Sequence, residues 1–245
     1  MRDLGGLPTL DGGKTAEGQL LRADNLQELT PADVSRLVND IGLTTVVDLR
    51  STAELESEGP APLDAIASVR HAHFPVLPEV GSNTDVIAEA LLLRRQEDRS
   101  RYPGDPWTGH YLGYLEDRPD QVVGAVRAIA TSEGAAIVHC AAGKDRTGTL
   151  IALTLSAVGV RPEAIIADFA ASGERIDAIL DRLRRSPTYA EDLEGKPADV
   201  QTPRPETMAA LLDQIDARYG GAARWLEDHG LADDLPRLRT KLLVA

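Results

Sequence analysis

The sequence predicts an α/β fold: a central, mostly parallel sheet of four to five strands flanked by helices, with extra helices towards the C-terminus. Three observations carry this expectation. Short apolar or β-branched runs recur at residues 19–23, 44–49, 68–74 and 135–138. Longer segments between and after them place apolar residues three and four apart, as amphipathic helices do. The run 135–138 follows Gly134 and is apolar on both faces, which suits a strand covered on both sides of a parallel sheet.

The elements follow in order. Residues 1–18 are glycine-rich with little periodicity and read as an ordered loop with room for a short hairpin. The strand at 19–23 ends in Arg22 and Asp24, which read as structural residues. Thr30, Pro31 and Asp33 form a helix start with cap, first-turn proline and acid; Val34, Leu37, Val38 and Ile41 follow at helical spacing, and Gly42 stops the helix. Asp48, Arg50 and Glu54 lie at and after the end of the 44–49 strand, on the side where open α/β sheets bind ligands. His71 and His73 read as residues of an edge strand, not as metal ligands, and residues 75–79 as a loop. Helices are expected at about 84–96 and 107–115, the second carrying Tyr111 and Tyr114 in packing roles. The 121–131 segment presents Val122, Val126 and Ile129 on one face.

Residues 148–159 are apolar nearly all round and predict a buried helix ending at Gly159. Further helices are expected from Pro162 to Gly173 and over 175–185, the latter with Arg182, Arg184 and Arg185 as a solvated face. Residues 186–206 hold four prolines and read as a long loop. Helices near 206–218, 221–228 and 232–243 close the chain. The expectation is one domain over 1–245, with a lid or helical insertion around 172–220.

Composition narrows the function. The 245 residues are 42% hydrophobic and 27% charged, within the globular range, and the net charge of −13 argues against nucleic-acid or anionic-membrane binding. A single cysteine rules out an internal disulfide and a CxxC metal site. It also argues against the arsenate reductases, which relay electrons through further cysteines. No metal or other cofactor is expected. No stretch approaches the ~18 apolar residues of a membrane span and no apolar leader precedes the fold, so a cytoplasmic location is expected, with signal-less export left open.

The stretch that carries chemistry runs from Ala135 to Gly148: Ala-Ala-Ile-Val-His-Cys-Ala-Ala-Gly-Lys-Asp-Arg-Thr-Gly. A loop between a strand end and a helix start gathers backbone N–H groups into one concavity, to which the helix dipole adds positive potential. Gly143 lets the backbone bend. Arg146 offers a planar fork for two phosphate oxygens. The same field favours the thiolate form of Cys140, set for in-line attack on a bound phosphoryl group.

His139-Cys140-Ala141-Ala142-Gly143-Lys144-Asp145-Arg146-Thr147-Gly148 resembles the His-Cys-x5-Arg-Ser/Thr-Gly signature of the cysteine-based tyrosine phosphatases. Its Gly-Lys-Asp-Arg-Thr-Gly form is similar to a bacterial group that acts on phosphotyrosine and, in some members, on phosphoserine/threonine and phosphoinositides. Arg2-Asp3-Leu4-Gly5-Gly6, Leu21-Arg22-Ala23-Asp24, Val47-Asp48-Leu49-Arg50-Ser51 and Tyr219-Gly220-Gly221 stand in that group's order. The resemblance implies a tyrosine-phosphatase-like fold and a phosphorylated protein or phosphoinositide as substrate, with inorganic phosphate as product. It also implies that the Asp48–Arg50 piece holds neighbouring loops in place.

The expected roles are these. Cys140 is the nucleophile that becomes a phosphocysteine, and Arg146 holds the phosphoryl oxygens. The cradle is formed by Ala141, Ala142, Gly143, Lys144, Asp145 and Arg146, with His139 and Thr147 in support; Thr147 would hydrogen-bond the sulfur. Asp145 is the favoured proton donor and Glu79 the second choice, because Asp105-Pro106-Trp107 holds the residues of the usual acid loop in reversed order. Lys144 adds a second positive charge, suited to multiply phosphorylated headgroups. Two other readings stay open: a rhodanese-like sulfurtransferase, which the Arg-Thr-Gly ending fits poorly, and a non-catalytic phosphate-binding module.

Overall fold

The structure is a computed structural model that describes residues 1–77, 105–186, 188–193 and 201–244. Five strands, β1 (Arg2–Asp3), β2 (Leu20–Arg22), β3 (Leu43–Asp48), β4 (Arg70–His73) and β5 (Ala135–His139), form one sheet in the order β1-β2-β5-β3-β4. All neighbours are parallel except the edge strand β1, which pairs antiparallel with β2. The described helices are α1 (Pro31–Ser35), α2 (Thr52–Glu58), α3 (Pro106–Asp117), α4 (Pro119–Ala130), α5 (Asp145–Ala157), α6 (Pro162–Ala170), α7 (Ile176–Arg185), α8 (Ala190–Leu193), α9 (Pro205–Tyr219), α10 (Ala222–Leu226) and α11 (Leu235–Leu242).

The strand pleat sorts side chains between two cores. Leu20, Val47, Ala136 and Val138 face the larger core with α3–α6 and α9–α11. Leu21, Val46, Ala135 and Ile137 face the smaller one, with Leu37 and Leu63. Covered on both faces, β5 reads as an unbroken apolar run, as the sequence predicts.

Local signals explain most helix starts. Thr30 caps α1 in a full capping box with Asp33, and Ser51 does the same for α2 with Glu54. After Ser35 the first helix widens into a π-helical turn, Arg36–Ile41, and stops at Gly42 in the left-handed conformation. Asp105 accepts hydrogen bonds from the Trp107 and Thr108 amides at the head of α3. Its carboxylate is therefore used as a helix cap.

The N-terminal loop does form a short hairpin-like turn, with Pro8 opposite Lys14. It is tied to the end of the chain: the Ala16 amide donates to Leu242 O (2.8 Å) and the Val244 amide to Lys14 O (3.0 Å). Thr15 Oγ1 reaches back to Leu4 O at 2.6 Å. His71 and His73, adjacent in one strand face, have separate partners: His71 meets Leu63 O and Asp64, and His73 meets Arg50 O. The helix expected at 84–96 and the loop residue Glu79 lie outside the described residues. Among the described residues no helix is long and apolar enough to cross a membrane.

Candidate active site

The strand order places β5 between β2 and β3, so the loop after it emerges in the crevice between the loops that follow those strands. The loop runs from Cys140 to Lys144, and α5 begins at Asp145. Gly143 has φ +63°, and a Cβ there would lie 2.4 Å from Ala23 O, so a side chain is excluded by both backbone conformation and space. Its amide points at the cysteine sulfur, with N to Cys140 Sγ 3.3 Å. Its carbonyl points away and accepts from Arg22 Nη2 at 2.6 Å. Arg22 is itself held by Asp168, which Arg2 also grips at 2.7 Å. Arg22 thus has a structural contact and fixes one peptide of the loop.

Arg146 is buried beside Glu54. Its Nη1 lies 2.5 Å from Glu54 Oε2 and its Nη2 2.7 Å from Oε1. Nη1 also points at Leu49 O, 3.4 Å away. Among the described residues, the N–H bonds left over are those of Nε and the outer one of Nη2, the second bidentate edge of the guanidinium. The side edge is the one open to a further acceptor, because the end of the guanidinium belongs to Glu54. Burial works against the charge of Arg146, but Glu54 and the Cys140 sulfur outweigh it and hold the guanidinium charged. Burial likewise pushes the Glu54 carboxyl up, and Arg146, the Ser51 amide and Tyr189 bring it below the usual carboxylate range. Tyr189 Oη donates to Glu54 Oε1 at 2.8 Å.

Asp145 accepts from Tyr111 Oη at 2.5 Å through Oδ1, and its Oδ2 lies 3.5 Å from Lys144 Nζ. Burial and the neighbouring carboxylate raise the Tyr111 phenol well above its ordinary value, so it stays a donor. Tyr111 does pack in the core, as expected, and it also orients Asp145. Lys144 donates to Gln201 O at 2.7 Å and sits over the Trp107 ring, 5.1 Å from its centroid.

His139 closes β5 with Nε2 3.4 Å from Asp48 Oδ2. Burial pushes the His139 imidazole below 6.5, so it is neutral at pH 7. Asp48 is clasped by Arg50, with Nη2 to Oδ2 2.6 Å. Burial raises this carboxyl, but His139 and Arg50 more than reverse that and hold it at about 2. The pair braces the ends of β3 and β5. Thr147 is wholly buried, and its hydroxyl has no hydrogen-bond partner among the described residues, so the expected bond to the sulfur is not made.

Helix α7 corrects one expectation. Arg182 belongs not to a solvated face but to the loop: it is 9% exposed and donates from Nη2 to Ala141 O at 2.6 Å. The amphipathic pattern misleads here because Arg184 and Arg185 on the same helix are exposed. Ala141 and Ala142 pack under Ile176, Ile179, Leu180, Leu183 and Tyr189 of this segment. The roles of Glu54, Tyr189 and Gln201 also escaped the sequence reading. A signal existed only for Glu54, whose Ser51-x-x-Glu54 capping box is visible, though it disguises the second use of the carboxylate.

A parallel α/β sheet whose central strand ends in a Cys-x5-Arg loop, with the arginine braced by a buried carboxylate, defines the class of cysteine-based phosphate-ester hydrolases. The sequence model of the tyrosine phosphatase family matches residues 1–244, and the chain belongs to that family. It is similar to the triple specificity protein phosphatase PtpB of Mycobacterium tuberculosis, with 28% identity covering 92% of this chain and 91% of the relative. A Cupriavidus necator protein that carries a tyrosine-protein phosphatase name is 30% identical, covering 99% of this chain and 85% of its own length. A tyrosine-protein phosphatase of Nostoc commune is 26% identical over 91% of this chain and 73% of its own. The protein is accordingly a phosphatase, a hydrolase of phosphorylated substrates.

Proposed function

We propose that the chain hydrolyses phosphotyrosine, and with it phosphoserine/threonine and phosphoinositides, through a phosphocysteine on Cys140. The observation that carries this reading is the Gly143 amide 3.3 Å from Cys140 Sγ, in a loop whose arginine Glu54 holds by its far end. A phosphoryl group docks on the loop amides of 141–146 and on the Nε–Nη2 edge of Arg146. The Cys140 sulfur bonds to phosphorus as the P–O bond to the substrate breaks, and Asp145 gives its proton to the departing oxygen. Water then attacks phosphorus, its proton goes to Asp145, the S–P bond breaks and inorganic phosphate leaves.

Breadth of substrate draws support from Lys144, a second cation at the loop, and from the triple specificity name of one relative. Since Lys144 Nζ is turned to Gln201, it reaches a second phosphate only when the 201 segment shifts. The family match over 1–244 supports a single domain. Part of the expected insertion acts as its cover: Cys140 is 2% exposed, and α7 with Tyr189 packs over the residues next to it.

The test is hydrolysis of para-nitrophenyl phosphate in the presence of a chelator, blocked by vanadate. Cys140→Ser is expected to lose at least ~10⁴-fold in kcat. Retained turnover in that variant would end the covalent scheme. A phosphoinositide panel run beside a phosphopeptide panel reads the breadth, which is refuted if aryl phosphates and phosphotyrosine alone are cleaved.

A further inference from the structure

We propose that Arg182 is a positioning residue of the phosphate cradle: it fixes the peptide between Ala141 and Ala142 so that its amide faces the phosphoryl group. The inference rests on the reading of 140–146 as that cradle. Every peptide in the described chain is trans. In a trans peptide the carbonyl and the following N–H point in opposite directions. The Ala141 carbonyl points at Arg182 Nη2, 2.6 Å away, so the Ala142 amide points to the other side. Arg22 does the same one peptide pair further on, taking Gly143 O at 2.6 Å and thereby turning the Lys144 amide. Two buried guanidiniums thus stand against the loop where β2 ends, and they hold its carbonyls away from the anion.

The charge matters as well as the geometry. A carbonyl that accepts from a cation is polarised, and its peptide N–H becomes a stronger donor. Buried charge acts across the loop with little screening. The same nitrogen of Arg182 is only loosely tied elsewhere, to Asp24 Oδ2 at 3.4 Å. Its Nε is buried and has no acceptor among the described residues. Helix α7 does not need an arginine here for packing, because Ile179, Leu180 and Leu183 already seat it. Without Arg182 the Ala141 carbonyl is orphaned, and a rotated peptide would turn an oxygen towards the phosphate. Because Arg182 sits on the covering segment, the cover and the cradle are set together.

The experiment compares Arg182→Met, Arg182→Lys and the exposed control Arg184→Met. Inhibition by inorganic phosphate and vanadate, kcat and KM for para-nitrophenyl phosphate, and melting temperature are measured for each. Arg182→Met is expected to weaken phosphate and vanadate inhibition about tenfold, the scale of one lost charge-assisted hydrogen bond, and to raise KM similarly. Arg182→Lys recovers most of that, and Arg184→Met stays within twofold of the parent. In amide NMR spectra the phosphate-induced shift of Ala142 shrinks in Arg182→Met. A folded Arg182→Met that binds both anions within twofold of the parent overturns the proposal. Should Arg182→Met not fold, Arg182→Gln takes its place under the same criteria, and failure of both to fold makes Arg182 a structural residue and also overturns it. A parent protein that binds neither anion would instead overturn the cradle reading itself.

Discussion

Asp145 has one oxygen committed and one to spend. Oδ1 takes the Tyr111 hydroxyl at 2.5 Å and Oδ2 faces Lys144 Nζ at 3.5 Å, so in the proposed mechanism Oδ2 is the oxygen left to pass the proton. Asp145→Asn is therefore expected to lose ~10²–10⁴-fold in kcat with poor leaving groups, much less with para-nitrophenolate, and to lose the basic limb of its pH–rate profile. Tyr111→Phe keeps the limb and loses a smaller factor. A basic limb that survives in Asp145→Asn would move the role to another acid, with Glu79 the next candidate. Acid stability has its own residues. Folded His139 titrates below 6.5, so below that pH the unfolded chain binds a proton that the folded chain refuses, and stability falls as pH falls. Asp48 acts lower down: its contribution is present above 3.8 and is lost as pH falls towards about 2. Urea midpoints from pH 8 to 3 check both, and His139→Gln should flatten the upper part of the curve. Cys140, Lys144, Asp145 and Arg146 stand out in the sequence as a candidate site because they fall within one short stretch. Glu54 and Tyr189 do not, because their partners are remote in sequence: Glu54 meets Arg146 92 positions on, and Tyr189 lies 135 positions from Glu54.

Elements were legible where local chemistry announces them. Pro162 at the head of α6, the capping box of α1 and the both-sided apolar run of β5 stand where the sequence puts them, whereas helix α2 has a capping box that the sequence reading leaves out. The π-helical turn after Ser35 and the short helix α8 inside the proline-rich stretch carry no such mark, since tertiary packing decides them. Among the described residues, hydrogen bonds fasten the covering segment to α2 from Ser186 to Glu58, from Thr188 to Ser57 at 2.7 Å, and from Tyr189 to Glu54 at 2.8 Å. Elements held by a few polar contacts open locally at lower cost than the core does. The double variant Ser186→Ala/Tyr189→Phe should speed alkylation of Cys140 by iodoacetamide about tenfold or more, with little change in melting temperature. An unchanged alkylation rate would show that this segment does not govern access.

At the scale of the whole molecule, the two ends of the described chain meet. The segment 242–244 pairs with residues 14–16, and Thr15 reaches Leu4 beside β1. From β1, Arg2 continues through Asp168 to Arg22 and the carbonyl of Gly143. An affinity handle fused directly behind Val244, or in front of Arg2, would start on backbone that takes part in this closure. Recombinant versions meant for kinetics are best given a flexible spacer at either terminus, or the handle itself will be read as a change in catalysis.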